Sequence, residues 1–211
     1  MSPMLEPIEG LEFFDHVHRY RYNNTWLAHS VTKVIAGELN PKTLAHIEKT
    51  RHGPMGWEIR GNTVHACLEQ HLLGQPTLDT GDFNDWVQPL LDCWLFKNCT
   101  PLAVEYRVCD PRKSLAGSMD FVIRTERNTL VLGDLKTVSS APAAKSRKPA
   151  DAQLGAYAAM LIDAHPHLSI DKCVTVVAGP GIVEVKPSNP SDCIAQWIDA
   201  WDHFQLLQPD F

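Results

Sequence analysis

Two apolar runs that carry charged residues lie on either side of a short polar turn. Asp120 lies in the first run, Asp134 and Lys136 lie in the second, and the turn covers residues 124–128. This pattern predicts a β-hairpin. Because side chains alternate along a strand, Asp134 and Lys136 point to one face and Leu135 to the other. Ionised groups in an apolar context need partners, so the pattern fits either a site for a hard divalent cation or a surface ion pair.

The composition is that of an ordinary globular protein. With 211 residues, 44% of them hydrophobic and 21% charged, the chain is long enough for one well-cored domain. No apolar run approaches the ~20 residues that span a membrane. The acidic, proline-containing start over residues 1–10 is not a secretory signal. We therefore expect a cytoplasmic protein, bacterial or phage-encoded, with no membrane partner.

Charge and cysteine content restrict the partners further. The net charge of −6 argues weakly against nucleic acid without excluding it, because local patches decide phosphate binding. None of the six cysteines is paired in a CxxC spacing, so zinc and iron–sulfur sites have little support. We expect reduced, mostly buried thiols.

The order of the predicted elements indicates a mixed α/β or α+β sandwich with one central sheet. We expect an α/β protein whose central mixed sheet has five strands flanked by helices. Residues 1–59 are expected to form a helical or irregular extension packed on a single domain of residues 1–211. The second core helix should be kinked or split at Pro89. The predicted strands cover residues 103–109, 116–124, 130–137, 173–178 and 182–185. The predicted helices cover residues 30–35, 43–50, 61–73, 83–96, 151–164 and 191–207.

Several polar residues have two interpretations. Ser30 can cap a short helix, and a helix N-terminus can also hold a phosphate. His65 lies beside the apolar stripe of its helix and can be a boundary residue or a ligand. The cations of the connector over residues 139–150 can be solvated or can contact a polyanion. These cations are Lys145, Arg147 and Lys148.

Taken together and in order, these motifs resemble the PD-(D/E)XK nuclease superfamily, in particular its RecB-type nuclease domains. The resemblance runs along most of the chain and includes a start similar to that of the mitochondrial genome maintenance exonucleases and their phage relatives. The matching segments are Ser-Val-Thr at 30–32, Gly-Asn-Thr-Val-His-Ala-Cys-Leu-Glu at 61–69, Glu105, Ala-Gly-Ser-Met-Asp at 116–120, Gly-Asp-Leu-Lys-Thr at 133–137 and Gln-Leu-Gly-Ala-Tyr at 153–157.

The resemblance implies a restriction-endonuclease-like core and a divalent metal, Mg²⁺ or Mn²⁺, with the nitrogen ligand favouring Mn²⁺. The metal ligands would be His65, Asp120, Asp134 and the backbone carbonyl of Leu135. The catalytic residues would be Asp120, Asp134, Lys136 and Glu105. The metal would activate a water and neutralise the scissile phosphate, while Lys136 would orient or deprotonate that water.

The resemblance also implies residues that hold the substrate. Gln153 and Tyr157 would position either the central motif or the substrate strand. Phosphate contacts would come from Ser30, Thr32, Lys145, Arg147 and Lys148.

Two features depart from the family pattern. Asp134 stands where many members have glutamate, which keeps a carboxylate but shortens its arm. The cysteine tetrad of the iron–sulfur members is missing, so we expect no cluster.

The resemblance implies a metal-dependent deoxyribonuclease that serves DNA repair or recombination, with DNA as its partner. Exonuclease action on single-stranded DNA or DNA ends is expected first. The alternatives are a structure-specific endonuclease and a non-cleaving DNA-binding or assembly subunit of a recombination or CRISPR-adaptation system.

Overall fold

A computed structural model of the protein describes residues 4–37, 40–76 and 78–207. Its strands are β1 Leu11–Phe14, β2 Arg19–Tyr22, β3 Thr25–Trp26, β4 His29–Ser30, β5 Thr100–Asp110, β6 Leu115–Arg124, β7 Leu130–Thr137, β8 Lys172–Gly179 and β9 Ile182–Ser188. Its α-helices are α1 Val31–Ala36, α2 Pro41–Lys49, α3 Trp57–Leu72, α4 Asn84–Leu91, α5 Trp94–Lys97, α6 Ala141–Ser146, α7 Asp151–Ala164 and α8 Pro190–Leu206.

The central sheet is mixed and has six strands in the order β4-β6-β7-β8-β9, with β5 paired to β6. The pairs β4–β6 and β7–β8 are parallel, and the other pairs are antiparallel. The expected α/β class with one helix-flanked mixed sheet is therefore confirmed. The five expected strands are all present, and the sixth is the two-residue strand β4, which is too short to leave a periodic signal in the sequence.

Helices cover both faces of this sheet. Alternation along β6 sends Val122 into the core shared with α1, α7 and α8, whereas Phe121 and Ile123 enter the core shared with α3, α4 and α5. Along β7, Leu132 enters the first core and Leu135 the second, as the spacing predicts. The sheet is thus buried on both sides, which explains the nearly continuous apolar character of its central strands.

The predicted helix over residues 83–96 is divided, but not at Pro89. The helix continues through Pro89 to Leu91, and a second helix begins at Trp94. Proline lacks the N–H that would bond to the carbonyl of Asp85, and that carbonyl instead accepts a bond of 2.9 Å from the N–H of Gly181. This tertiary contact thus supplies the hydrogen bond that the carbonyl of Asp85 cannot receive from Pro89.

Two other helices have features that the apolar pattern alone does not predict. On α8, Ile198 is 50% exposed and does not join the buried face with Trp197 and Trp201. The connector over residues 139–150, where the sequence pattern predicts no helix, contains α6, whose first turn is capped by the hydroxyl of Ser140. In the part of the chain that the structure describes, no helix combines the length and the apolar character that crossing a bilayer requires.

The first part of the chain is more regular than expected, because β1, β2 and β3 form a three-stranded antiparallel sheet. One face of this sheet packs on Ala116 of β6 through residues such as Phe13 and Tyr20. The other face carries Arg19 and Trp26, with the guanidinium 4.8 Å from the indole centroid. Alternating aromatic and arginine residues over 19–22 are the sequence signal of this two-faced sheet.

Candidate metal centre

A break in the pairing of β6 creates the site. On one edge, β6 pairs with β5 along nearly its whole length. On the opposite edge, β4 pairs with residues 115–116 and β7 with residues 121–124. Among the described residues, the intervening segment 117–120 has no strand partner on that edge. Gly117, Ser118 and Asp120 of this segment line an open cavity of about 740 Å³.

Three side chains from three different elements meet in this cavity. Asp120 of β6 lies with its Oδ1 3.3 Å from Nδ1 of His65 on α3. Oε1 of Glu105 on β5 lies 3.9 Å from the same nitrogen. Each of the three residues offers a ligand atom, and these atoms all lie within 4.8 Å of one another. The cluster could therefore hold a metal ion.

Glu105 reaches the cluster through an unusual backbone. Its φ angle is +47°, in the left-handed region that residues other than glycine rarely adopt. The residue falls between the register pairs Val104–Phe121 and Tyr106–Met119, so it lies across from Asp120. Simple alternation along β5 does not predict this conformation, and backbone strain of this kind tends to occur at functional sites.

Asp134 and Lys136 form the second part of the site. Asp134 is 2% exposed, and its Oδ2 lies 2.7 Å from Nζ of Lys136 on the same face of β7. Its Oδ1 accepts a hydrogen bond of 2.8 Å from Nε2 of Gln153. Within the described part of the chain, Asp134 Oδ2 has no hydrogen bond of acceptable geometry, since the contact with Lys136 is short but poorly directed. A charged, buried oxygen is thus left with unused acceptor capacity.

The backbone of Leu135 joins the two parts. Its side chain is buried in the core beneath the sheet, and its N–H donates a hydrogen bond to Oδ2 of Asp120. The N–H and C=O of one strand residue point to the same edge, so the Leu135 carbonyl also faces the gap between β6 and β7. This placement fits the expectation that the carbonyl is a ligand.

The pKa values reflect this concentration of charge. Burial alone would lower the pKa of His65, but the charges and hydrogen bonds of Asp120 and Glu105 outweigh it and raise that pKa to about 10. Burial likewise opposes the ionisation of Asp120, yet His65 and then Lys136 lower its pKa. The pKa of Asp134 is raised, by burial first and by the nearby Asp120 charge, against the opposing effect of Lys136. The site thus places a carboxylate with a lowered pKa, Asp120, beside one with a raised pKa, Asp134.

The donor set agrees with a hard divalent cation. Two carboxylates, an imidazole nitrogen and a backbone carbonyl are ligands of the kind that Mg²⁺ and Mn²⁺ accept, and the imidazole favours Mn²⁺. The unused oxygen of Asp134 supplies a further anionic donor beside the cluster. A cation would also offset the negative charge that the three carboxylates bring into one cavity.

Only some of the residues that were expected to contact the substrate lie together in the structure. The lining of the cavity includes Ser30, Thr32, Arg147, Gln153 and Tyr157. Lys145 and Lys148 are exposed and are not among the described residues that line it. The carbonyls of Lys145 and Arg147 accept hydrogen bonds from Nζ of Lys186, which anchors this connector to β9. Of the three connector cations, Arg147 alone borders the cavity.

Tyr157 is placed behind the site rather than in the path of a substrate. It is 1% exposed, and its hydroxyl accepts a hydrogen bond of 3.0 Å from Nε2 of Gln153. Burial first, and then the charge of Asp134, raise its pKa well above the usual range. Of the two roles that the family resemblance implies, positioning of the central motif fits this geometry better.

Some lining residues were not singled out from the sequence. The sheet of β1, β2 and β3 contributes Phe13, His18 and Tyr20, and the hydroxyl of Tyr20 lies 3.1 Å from that of Ser118. The start of α3 contributes Trp57. The only available signal was the aromatic content of these segments, which is equally typical of core residues.

Comparisons with known proteins do not assign the chain to a family. No protein-family model matches the chain, and no curated protein matches it. Among solved structures, the chain is similar to one described as the crystal structure of SSO0001, with 17% identity and a TM-score of 0.47. The match covers 86% of this chain and 76% of the other. At this level the similarity carries no argument about function, and membership of the PD-(D/E)XK superfamily stays a prediction from the motifs.

Proposed function

We propose that the protein is a metal-dependent deoxyribonuclease that hydrolyses phosphodiester bonds, acting as an exonuclease on single-stranded DNA or DNA ends. One observation carries the proposal: the His65, Glu105 and Asp120 cluster shares one open cavity with the Asp134–Lys136 pair. These residues come from four elements, α3, β5, β6 and β7. Their order along the chain is the order of the motifs that resemble RecB-type nucleases.

His65, Glu105 and Asp120 would hold the cation, with Asp134 Oδ2 and the Leu135 carbonyl as further donors. When bound, Mg²⁺ or Mn²⁺ would supply Lewis acidity, which favours ionisation of water and neutralises phosphate charge. The requirement for a cation follows from the site itself, because the carboxylates alone would repel a phosphodiester.

Lys136 supplies the cationic donor that faces the substrate. Its ammonium has three N–H donors, so it can hold Asp134 and still orient a water or bind a phosphoryl oxygen. In the reaction, the water loses a proton as its oxygen forms a bond to phosphorus, the bond from phosphorus to the leaving sugar oxygen breaks, and the leaving oxygen takes up a proton. Lys136 would stabilise the negative charge that grows on the phosphoryl oxygens.

The remaining residues would fix the site and hold the strand. Gln153 holds Asp134 through a bond of 2.8 Å and is held in turn by Tyr157. The hydroxyls of Ser30 and Thr32 and the guanidinium of Arg147 border the same cavity and can donate to phosphate oxygens.

Incubation with end-labelled single-stranded and double-stranded DNA tests the proposal. Cleavage is expected with Mg²⁺ or Mn²⁺ and should stop when a chelator is added. A ladder that grows from one end supports an exonuclease, whereas internal cuts would replace that assignment with an endonuclease. DNA that is bound but remains intact under both metals would overturn the enzymatic proposal in favour of a non-cleaving binding subunit.

A further inference from the structure

An exposed tryptophan lies on the same helix face as the histidine of the cluster. Trp57, Gly61 and His65 follow each other at intervals of four residues on α3, and all three line the cavity. Residues at this spacing share one face of a helix, and Trp57 precedes His65 by about 12 Å along the axis. A tryptophan therefore borders the space beside the proposed reaction centre.

The helix surface between the two rings is open. A Cβ atom built on Gly61 would have Thr137 Oγ1, at 3.9 Å, as its nearest neighbour. The absence of a side chain at Gly61 leaves room beside Trp57 for a flat group to approach the helix.

The indole of Trp57 is held in place and still accessible. Its Nε1 donates a hydrogen bond of 2.7 Å to the carbonyl of Ile47. The guanidinium of Arg51 lies 5.7 Å from the ring centroid and is itself fixed by Glu58 at 2.7 Å. The side chain remains 37% exposed. A ring that is already oriented loses little conformational entropy when another ring stacks on it.

Phe13 and Tyr20, which also line the cavity, have less free surface than Trp57. Phe13 lies 4.7 Å from the ring of Tyr20 and has the guanidinium of Arg107 5.6 Å from its centroid. Tyr20 is buried and engaged with Ser118. His18 is exposed, but its smaller ring is already engaged in an edge contact with Phe13 at 5.2 Å. Trp57 is thus the aromatic lining residue best placed to receive a ligand ring.

We infer that Trp57 stacks on an unpaired base of the DNA strand next to the bond that is cut, and so makes the site selective for single-stranded DNA. The inference rests on the proposed nuclease function and adds a binding residue to it. In a duplex both faces of a base are covered by its neighbours, whereas a base in a single strand can turn a face toward an aromatic side chain. Stacking also accepts any base, so selection for sequence is not expected.

The test compares Trp57→Ala and Trp57→Phe with a matched control, Trp26→Ala. Trp26 is 42% exposed, close to the 37% of Trp57, but it lies outside the cavity lining. Each change is introduced into the Lys136→Ala protein, and binding of labelled oligothymidylate is measured by fluorescence anisotropy with Mn²⁺. A second probe is the same strand with abasic residues in place of thymidine.

Trp57→Ala should weaken oligothymidylate binding about 5- to 100-fold, because a stacked base contributes on that scale. Trp57→Phe should restore most of the affinity, and Trp26→Ala should leave it unchanged. The abasic strand should bind weakly and to the same extent with or without Trp57. In the protein that retains Lys136, Trp57→Ala should reduce the preference for single strands over duplex in cleavage.

Equal losses in Trp57→Ala and Trp26→Ala would overturn the inference, as would an equal loss on the abasic strand. In either case metal-dependent cleavage by the unsubstituted protein would leave the proposed function standing. If that protein neither cuts nor binds DNA, both the function and the inference fall. Thermal unfolding of each variant separates a lost fold from a lost contact, and Trp57→Phe keeps the test decisive if the alanine variant does not fold.

Discussion

Nζ of Lys136 lies 2.7 Å from Oδ2 of Asp134, two residues earlier on β7. This pair is not the surface ion pair that the sequence left open, because the side chain of Asp134 is 3% exposed and that of Lys136 23%. A charge pair this well buried adds little net stability, since desolvation offsets the attraction between the charges. A role beside the His65–Asp120 cluster gives a better reason for placing these charges here.

Lys136→Ala should reduce cleavage by about 10²–10⁴-fold, the usual cost of removing one group that acts on the reacting atoms. The fold should persist, because burial already raises the pKa of Asp134 and the loss of Lys136 favours its protonated, neutral form. Initial rates on labelled DNA and circular dichroism measure the two effects.

Lys172→Ala is the control for this change. Lys172 is exposed on the neighbouring strand β8 and pairs in register with Val131, at the end of β7 away from Lys136. Its removal should leave the rate unchanged. Near-normal cutting by Lys136→Ala would refute the role assigned to that lysine.

Asp120→Asn should abolish high-affinity Mn²⁺ binding in isothermal titration calorimetry. The change removes an anionic donor from the cluster and replaces one acceptor oxygen by an NH₂ group, which cannot ligate. Asp134→Asn should also weaken binding, by less, because this carboxylate is shared with Lys136 and Gln153. The control is Asp199→Asn on the exposed face of α8. Unchanged affinity in both site variants would mean that the cation binds elsewhere.

The five longer strands of the central sheet and the face of each charged residue on β7 could be predicted from the sequence. Alternation is a local property, so the spacing of Asp134, Leu135 and Lys136 was enough to place two charges on one face and Leu135 in the core. The bounds predicted for β7 and α7 are those that the structure has. Local periodicity was sufficient because the apolar residues of each element recur at the spacing of its secondary structure.

Features that depend on distant contacts could not be predicted in this way. The left-handed backbone of Glu105 occurs where that residue lies across from Asp120 on the paired strand, and the carbonyl that Pro89 leaves free is bonded by the distant Gly181. The meeting of His65 with Asp120 came from the resemblance to a family, since spacing along the chain says nothing about their separation. Trp57 was missed because an exposed tryptophan at a helix start has no distinctive pattern.

The stability of the metal-free protein should fall as the pH rises above about 6.5. The pKa of His65 is raised from 6.5 to about 10, against burial, by Asp120 and Glu105. A folded-state pKa above the unfolded value means that folding takes up a proton. The stabilisation is therefore complete below about pH 6.5 and is lost progressively as the pH approaches 10. Urea unfolding in the presence of a chelator, repeated at pH values across this interval, measures the slope of the unfolding free energy against pH.

His65→Gln should flatten this slope, whereas His71→Gln, on the same helix but outside the cavity lining, should preserve it. A stability that is independent of pH in the unsubstituted protein would contradict the close pairing of His65 with the two carboxylates.

Gln153→Ala should separate positioning from substrate binding. The side-chain amide of Gln153 donates a hydrogen bond to Asp134. Removing this side chain should therefore leave a catalytic carboxylate less well fixed in position. Hydrogen bonds to charged groups contribute about 1.5–3 kcal/mol, so kcat should fall about 10- to 100-fold while KM changes little. Gln88→Ala is a matched control, because Gln88 on α4 donates a bond of the same length, 2.8 Å, to Asp92 just after the helix. A rise in KM with an unchanged kcat would instead indicate direct contact with the DNA strand.

Substituting alanine for two helical glycines should change the free energy of unfolding in opposite directions. A Cβ at Gly155 on α7 would lie 1.9 Å from the carbonyl oxygen of Cys193 on α8, which is backbone and cannot yield without moving the helix. Gly155→Ala should therefore destabilise the protein by about 1–3 kcal/mol or more, as overpacking does.

Gly61→Ala on α3 meets no atom closer than 3.9 Å. It should stabilise the metal-free protein by about 0.5–1 kcal/mol, because alanine loses less backbone entropy than glycine in a helix. Urea unfolding of both variants and of the unsubstituted protein measures the two changes in the free energy of unfolding. A destabilised Gly61→Ala protein would mean that the space between Trp57 and His65 is narrower than described, and the room for a stacked base would be lost with it.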